Sequence, residues 1–354
     1  MEEKESLNKF FKENTYEDIF QINENGVFLD YYRIGKNFSK NPLKAGIFLD
    51  EKNISYVIME KDRILLRNKL ANPMLKFGKS ISHIASFACK NKKVLANIKN
   101  EFCCKLKEYL LKDLVNLNRE KKDLLLISLY TNSIFAHILS GYSPENLISF
   151  PYERSLKGVY KEDFSKSFKD FGEGLFLINP QISRLIGSKF VMEAFELNLK
   201  EKNKALLLNA GERGEIAFSY EGSIYSSEFS IVDIMEKINF LDKENALMGI
   251  SDLLEGYIKL LIEKASSESE ISKIYVIEDK LPKIFIDYIN EKMNMDLKEK
   301  IVYINEKILD GIVKHLSSRE NFSNLNSNGL EYLMIDTKRE EKDLINNFIE
   351  KYNK

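Results

Sequence analysis

The sequence predicts an α/β protein built from two similar halves, and three observations carry that prediction. Strand-like runs come in sets of three, joined by short polar turns. Each set is followed by segments of helical period that alternate with short apolar runs. The same order then recurs in the second half of the chain.

In the first half the runs are AGIFLD (Ala45 to Asp50), ISYVIME (Ile54 to Glu60) and RILLRNKL (Arg63 to Leu70), which read as a three-stranded meander. From about Lys79 to Asn116, Leu, Ile and Phe recur at helical spacing, which predicts one long helical region. LLLISLY (Leu124 to Tyr130) is short and apolar enough for a central strand, and Asn132 to Ser140 reads as a helix. The second half repeats the pattern. Strands are expected at Ala205 to Leu208, Glu215 to Tyr220 and Ser223 to Phe229, then a helix from about Met248 to Glu263. A strand at Lys273 to Ile277, a helix at Pro282 to Met293, a strand at Ile301 to Ile304 and a helix at Glu306 to Leu316 complete it. Pro282 suits a first helical turn, where its missing N–H is no loss.

Two copies of a meander followed by alternating helices and strands are the expected signature of duplicated actin-like lobes, the ribonuclease H-like halves of the ASKHA ATPase fold. Coincidental α/β repetition is the alternative. The expected division is an N-terminal arm over 1–40, a first lobe over 41–170 and a second lobe over 171–354. The second lobe ends in a charged amphipathic helix from Lys338 to Lys354 that packs on it.

Composition narrows the function classes. The 354 residues include 53 Lys+Arg and 54 Asp+Glu, so the chain lacks the basic surplus that gives nucleic-acid and anionic-membrane binders most of their non-specific affinity. Only three cysteines occur, Cys89, Cys103 and Cys104, without zinc or iron–sulfur spacing. A reducing cytoplasm is the expected compartment, and no run of about 20 apolar residues is present to span a bilayer.

The segment ALLLNAGERGEIAF (Ala205 to Phe218) reads as strand, glycine turn and strand. Gly211 and Gly214 would let backbone amides approach a phosphate closely. Asn209, however, stands where a magnesium-holding carboxylate would be useful, and Glu212 repels a polyphosphate.

Four further segments carry a family resemblance. TNSIFAHILSGYSPENLISFP (Thr131 to Pro151) resembles the Gly-Asn-Thr-Thr-Met-x-His-Leu-x-x-Gly-x-x-Pro run of the reductive activators of corrinoid proteins, matching at Asn132, His137, Gly141, Pro144 and Pro151. LANPMLKFGKSISHI (Leu70 to Ile84), LINPQISRLIGSKF (Leu177 to Phe190) and YINEKILDGIVKHL (Tyr303 to Leu316) resemble other runs of that family, in the same order. The resemblance implies an actin-like fold with a nucleotide cleft between lobes. It also implies a role in driving electrons from an iron–sulfur domain onto a cobalt(II) corrinoid with the help of ATP. This chain has no cysteine before Cys89, so no iron–sulfur cluster of its own is expected.

The resemblance also exposes losses. Where the family has Asp-Ile-Gly-Thr-Thr-Thr in its first phosphate loop, this chain has Asp50-Glu51-Lys52-Asn53-Ile54-Ser55. In the second loop, Asp-Ile-Gly-Thr-Asn-Gly-Glu corresponds to Asn209 through Glu215, keeping Gly211, Gly214 and Glu215. Each hydrogen bond to a charged phosphate contributes about 1.5–3 kcal/mol, so losing three donors weakens binding at least roughly a hundredfold. Lys52 and Arg213 would recover part of it.

The candidate catalytic residues are thus Asp50, for a magnesium-bound water, and Glu215, to orient a nucleophilic water. A turn aspartate and a hairpin-edge glutamate are the plain alternatives. Asn209, Gly211, Arg213 and Gly214 are the candidate nucleotide contacts, and no resident metal site is expected. His137 reads as a structural histidine in preference to a general base, and Cys103 and Cys104 as buried small side chains. Asn72-Pro73 and Gly187-Ser188 mark either turns between lobes or local turns. The reading is a degenerate ASKHA protein with weak or lost ATP and magnesium binding. It would bind a protein partner, a corrinoid protein or a related activator, with a homodimer left open and neither nucleic acid nor membrane expected. The alternative is an active ATPase that assists corrinoid reduction with electrons from a separate ferredoxin. An acyl or sugar kinase is a third option, without a substrate motif to support it.

Overall fold

The fold is described from a computed structural model of the chain. It covers residues 42–148, 155–156, 160–179, 187–210, 214–229, 252, 255–263, 271–277, 300–304, 308–317 and 332–334. Two compact units divide the chain: Met1–Met192 with Ile308–Gly329, and Glu193–Lys307 with Leu330–Lys354.

In the first unit β1 (Leu43–Leu49), β2 (Asn53–Glu60) and β3 (Arg63–Ala71) form the expected antiparallel meander. Two helices follow where one region was expected, α1 (Ile81–Ala88) and α2 (Lys92–Asn116). The break is local chemistry: Asn91 is extended, and its side chain accepts from Val94 N at 2.9 Å, starting a new helix. β4 (Leu124–Thr131) then runs parallel to β1, with Gly46 opposite Ser128. Its continuous apolar run suits a strand covered on both faces. Asn132 caps α3 (Ser133–Ser140) by accepting from Phe135 N at 2.9 Å, and Gly141 ends that helix at φ 82°, where a side chain would be strained.

Two short strands were not expected. β5 (Tyr160–Asp163) is antiparallel to β6 (Leu175–Ile178), and β6 is parallel to β4. The first sheet therefore has the order β3-β2-β1-β4-β6-β5 and runs past the boundary expected at residue 170. Helix α4 (Ser188–Glu196) follows.

The second unit repeats the plan. β7 (Ala205–Ala210), β8 (Gly214–Tyr220) and β9 (Ser223–Phe229) form an antiparallel meander. Glu221 and Gly222 turn between β8 and β9 with φ 48° and 77°, the left-handed pair that suits a two-residue hairpin. Helix α5 (255–263) lies within the expected helix. β10 (Lys273–Ile277) is parallel to β7, β11 (Ile301–Ile304) is parallel to β10, and β12 (Tyr332–Met334) is parallel to β9. The order is β11-β10-β7-β8-β9-β12, so both sheets share an antiparallel meander whose first strand starts a parallel run. The duplicated actin-like arrangement expected from the sequence is present. The arm over 1–40, the helix at Pro282 to Met293 and the tail helix at Lys338 to Lys354 lie outside the described residues.

The last described helix, α6 (Ile308–Ser317), belongs to the first unit and packs on β1 and β2. Gly46 permits this: a Cβ there would lie 2.4 Å from Ile312 Cγ2 and 2.8 Å from Leu316 Cδ1. Beneath α6 sits a polar group. Lys44, 2% exposed, donates to the carbonyl of Leu316 near the negative end of the helix, and Tyr130 OH lies 2.7 Å from His315 Nδ1. Burial lowers Lys44 to about 8, opposed in part by Asp62. Burial and the nearby Lys44 charge lower His315 to about 3.

Candidate functional site

Asp50 sits in the turn between β1 and β2, and one oxygen of its carboxylate is engaged there. Oδ1 accepts from the backbone amides of Lys52 at 2.7 Å and Asn53 at 2.5 Å. Asn72, buried, secures the turn: Nδ2 donates to the carbonyls of Asp50 at 3.1 Å and Glu51 at 3.0 Å, and Oδ1 accepts from Met74 N. Bonds back onto amides two and three residues ahead are those a turn aspartate makes. The Asn72-Pro73 pair is accordingly a local device of the first unit.

The parallel strands of the first unit end close by in the chain topology, where α/β proteins commonly bind ligands. Thr131 Oγ1 donates to Leu49 O at 2.8 Å, and Ser188 Oγ accepts from Thr131 N at 3.0 Å while donating to Thr131 O at 3.3 Å. Gly187 makes this contact possible, because a Cβ there would stand 2.2 Å from Thr131 O. Asn179 donates through Nδ2 to Ser128 Oγ at 2.9 Å and Leu129 O at 3.0 Å. The ends of β4 and β6 are thus tied up by the protein's own hydroxyls and amides.

In the second unit Asn209 and Glu215 are register partners on β7 and β8. Asn209, 1% exposed, donates through Nδ2 to Glu215 Oε2 at 3.1 Å and more weakly to Glu193 Oε2 at 3.5 Å. Glu193 and Glu215 are both buried. Sequence reasoning missed Glu193; the available signal was a carboxylate on the apolar face of SKFVMEAFE. Gly214 opens β8 opposite Ala210, whereas Gly211 and Arg213 lie outside the described residues. Asp50 belongs to the first unit and the remaining candidates to the second.

His137 is buried with both ring nitrogens engaged. Nδ1 lies 2.8 Å from the Ser133 carbonyl, which only accepts, so Nδ1 carries the hydrogen. Nε2 accepts from the amides of Ser155 at 3.1 Å and Leu156 at 3.2 Å. The ring therefore pins the backbone at 155–156 to α3, as a structural histidine does. Cys103 is buried, with its thiol pushed up to about 12 by burial, but Cys104 is exposed, correcting the expectation that both are buried. Adjacent residues on a helix point about 100° apart, and α2 turns Phe102 and Cys103 to its buried side while Cys104 falls beyond it.

In the β1–β2 turn the amides of Lys52 and Asn53 are bonded to Asp50, so an anion approaching them meets a carboxylate. Asn209 offers an amide hydrogen, not a carboxylate, between Glu193 and Glu215. No cluster of three or more His, Cys, Asp or Glu able to hold a metal occurs among the described residues. None of the described helices is long and apolar enough to cross a membrane.

Comparison with known proteins agrees with this architecture. Residues 54–202 match the family described as the RACo middle region. No curated protein matches the chain. Among solved structures, a reductive activator for corrinoid, iron–sulfur protein superposes with a TM-score of 0.64 at 11% identity, over 87% of this chain and 65% of that one. This chain therefore spans less than two thirds of that protein. The ethanolamine utilization protein EutJ from Carboxydothermus hydrogenoformans gives a TM-score of 0.39 at 12% identity, over 90% of this chain and 98% of that one. A Ppx/GppA phosphatase from Aquifex aeolicus gives 0.39 at 12% identity, over 80% and 93%. The chain has the actin-like ATPase fold, and over residues 54–202 it is similar to the RACo middle region.

Proposed function

We propose that this protein is a divergent relative of the reductive activators of corrinoid proteins that has lost its grip on nucleotide and works by binding a protein partner. The partner is a corrinoid protein or a full-length activator, and the compartment is the cytoplasm, which suits three free cysteines. One observation carries the reading: Asp50 has turned its carboxylate onto the amides of Lys52 and Asn53, so these two donors of the first loop are used within the turn and leave a phosphate mainly the Lys52 side chain. The buried Asn209 amide between Glu193 and Glu215 supports it from the second unit. Calorimetric titration with ATP and magnesium is the test. Binding in the low micromolar range that disappears on Gly211→Asp refutes the proposal.

The position of Glu215 favours a second reading. A carboxylate retained at the start of β8 and oriented by Asn209 is what an ATPase needs to direct a water. On that reading the chain hydrolyses ATP, a cobalt(II) corrinoid protein stimulates it, and a separate ferredoxin supplies the electron. Asp50→Ala and Glu215→Ala would each abolish the stimulated rate.

A further inference from the structure

We infer that the second unit carries a docking surface for an acidic protein segment, at the amino-terminal ends of β7, β10 and β11. This inference rests on the partner-binding reading above and names the chemistry of one contact.

Strand register assembles the surface. Lys273 opens β10 opposite Ala205, the residue after Lys204. Ile274 pairs with Ile301 and donates to the carbonyl of Lys300, so Lys273 and Lys300 stand at neighbouring strand ends. Adjacent strands lie about 4.8 Å apart, which spaces the lysines as a row. Lys202 joins from the preceding turn. Its Nζ lies 5.8 Å from the centre of the Tyr275 ring, and Lys273 Nζ lies 5.9 Å from the same ring. Two cations held against one aromatic ring lose less side-chain freedom on binding than lysines in open solvent.

The backbone beneath the row is fixed in a costly shape. Lys204 has φ 60°, a conformation that burdens a residue with a side chain by about 1 kcal/mol or more. Lys204 N donates to Ser219 O at 2.7 Å, and Lys204 O accepts from Ser272 N at 2.8 Å and Ser272 Oγ at 3.0 Å. Ser219 Oγ also donates to Lys202 O, and Ser272 Oγ to Asn203 O. Such cross-bracing fixes the backbone from which Lys202 and Lys204 project. The surface lies at the opposite end of these strands from Asn209, away from the degenerate loop.

Carboxylates fit this row better than a phosphodiester backbone. Exposed Glu201 and Glu221 flank it and would repel a continuous line of phosphates, and the whole chain carries a net charge of −1. Spaced carboxylates on a protein segment can meet the lysines and bypass the two glutamates.

The test is fluorescence anisotropy at low ionic strength with a labelled peptide of alternating glutamate and serine. The wild-type chain binds it, and Lys202→Glu with Lys273→Glu weakens binding by at least about tenfold. Lys202→Gln with Lys273→Gln gives a smaller loss in the same direction, guarding against a folding artefact. Lys93→Glu with Lys112→Glu, the same charge change on exposed sites of α2, leaves binding within about twofold. Equal loss in the α2 control, or no binding by the wild type, overturns the inference. Tighter binding of a single-stranded oligonucleotide of equal charge overturns the carboxylate assignment. Binding of magnesium ATP in a parallel titration sinks the proposed loss of nucleotide and leaves the lysine result to stand or fall alone.

Discussion

Lowering the pH from about 7 to about 5 tests the buried group under α6. His315 has a folded-state pKa near 3 against an ordinary 6.5, because burial and the Lys44 charge disfavour the imidazolium. The unfolded chain takes up the proton first, so stability is lost as pH falls from 6.5 towards 3. At pH 5 the unfolded histidine lies 1.5 units below its ordinary pKa while the folded one stays neutral, which costs about 2 kcal/mol. Lys44, lowered to about 8, acts only on the alkaline side and does not enter this window. Urea unfolding followed by far-ultraviolet circular dichroism reads the effect. In Tyr130→Phe with His315→Leu, which removes both hydrogen-bonding partners, the extra acid loss disappears whatever the starting stability. Parallel losses in the two proteins between pH 7 and pH 5 would refute the reasoning.

Gly46→Ala forces a Cβ against Ile312 and costs about 1–3 kcal/mol in a thermal or urea unfolding experiment. Ile312→Ala in the same chain recovers part of that cost, and strictly additive losses would show that the two sites do not touch. Glu162, buried beside Lys99 at 2.6 Å, is pushed up by burial but held below its ordinary pKa by hydrogen bonds from Lys99, Ser167 and Tyr160 and by the Lys99 charge. Its stabilisation is therefore present above about pH 4.5 and lost as the pH falls through the lower folded value. Glu162→Gln costs about 2–3 kcal/mol at neutral pH and flattens the acid limb below pH 4.5; an unchanged limb counts against the assignment. Asn209→Asp replaces a bridging donor with a third acceptor between Glu193 and Glu215, and it lowers stability by about 2–3 kcal/mol on thermal melting. A neutral outcome would mean that Asn209 does not bridge them.

Both meanders were legible because their strands carry continuous or alternating apolar residues and their turns are short and polar. β5 and β6 were not, since four residues such as Leu175–Ile178 give no period to read. The break between α1 and α2 passed unnoticed because Asn91 resembles any polar residue on a helix until its side chain caps Val94. At the candidate site, the departure of the residues after Asp50 from the glycine and hydroxyl pattern was visible, but the closure of the turn by Asp50 itself depends on backbone direction. His137 was readable as structural from its apolar neighbours; its partners at 155 and 156 were not. The pair Tyr130 and His315, 185 residues apart, could not be seen at all, because no local pattern links them.

The return of α6 to β1 sets a timetable for synthesis. A ribosome that has just released the segment through Met192 has made both meander and parallel strands of the first sheet, yet the furrow at Gly46 and the ammonium of Lys44 still face water. They stay so until Ile308–Ser317 leaves the exit tunnel, which means the earliest-made half finishes folding among the last. During that interval the nascent chain offers an apolar groove to chaperones, and early termination upstream of Ile308 would leave a product for quality control to clear.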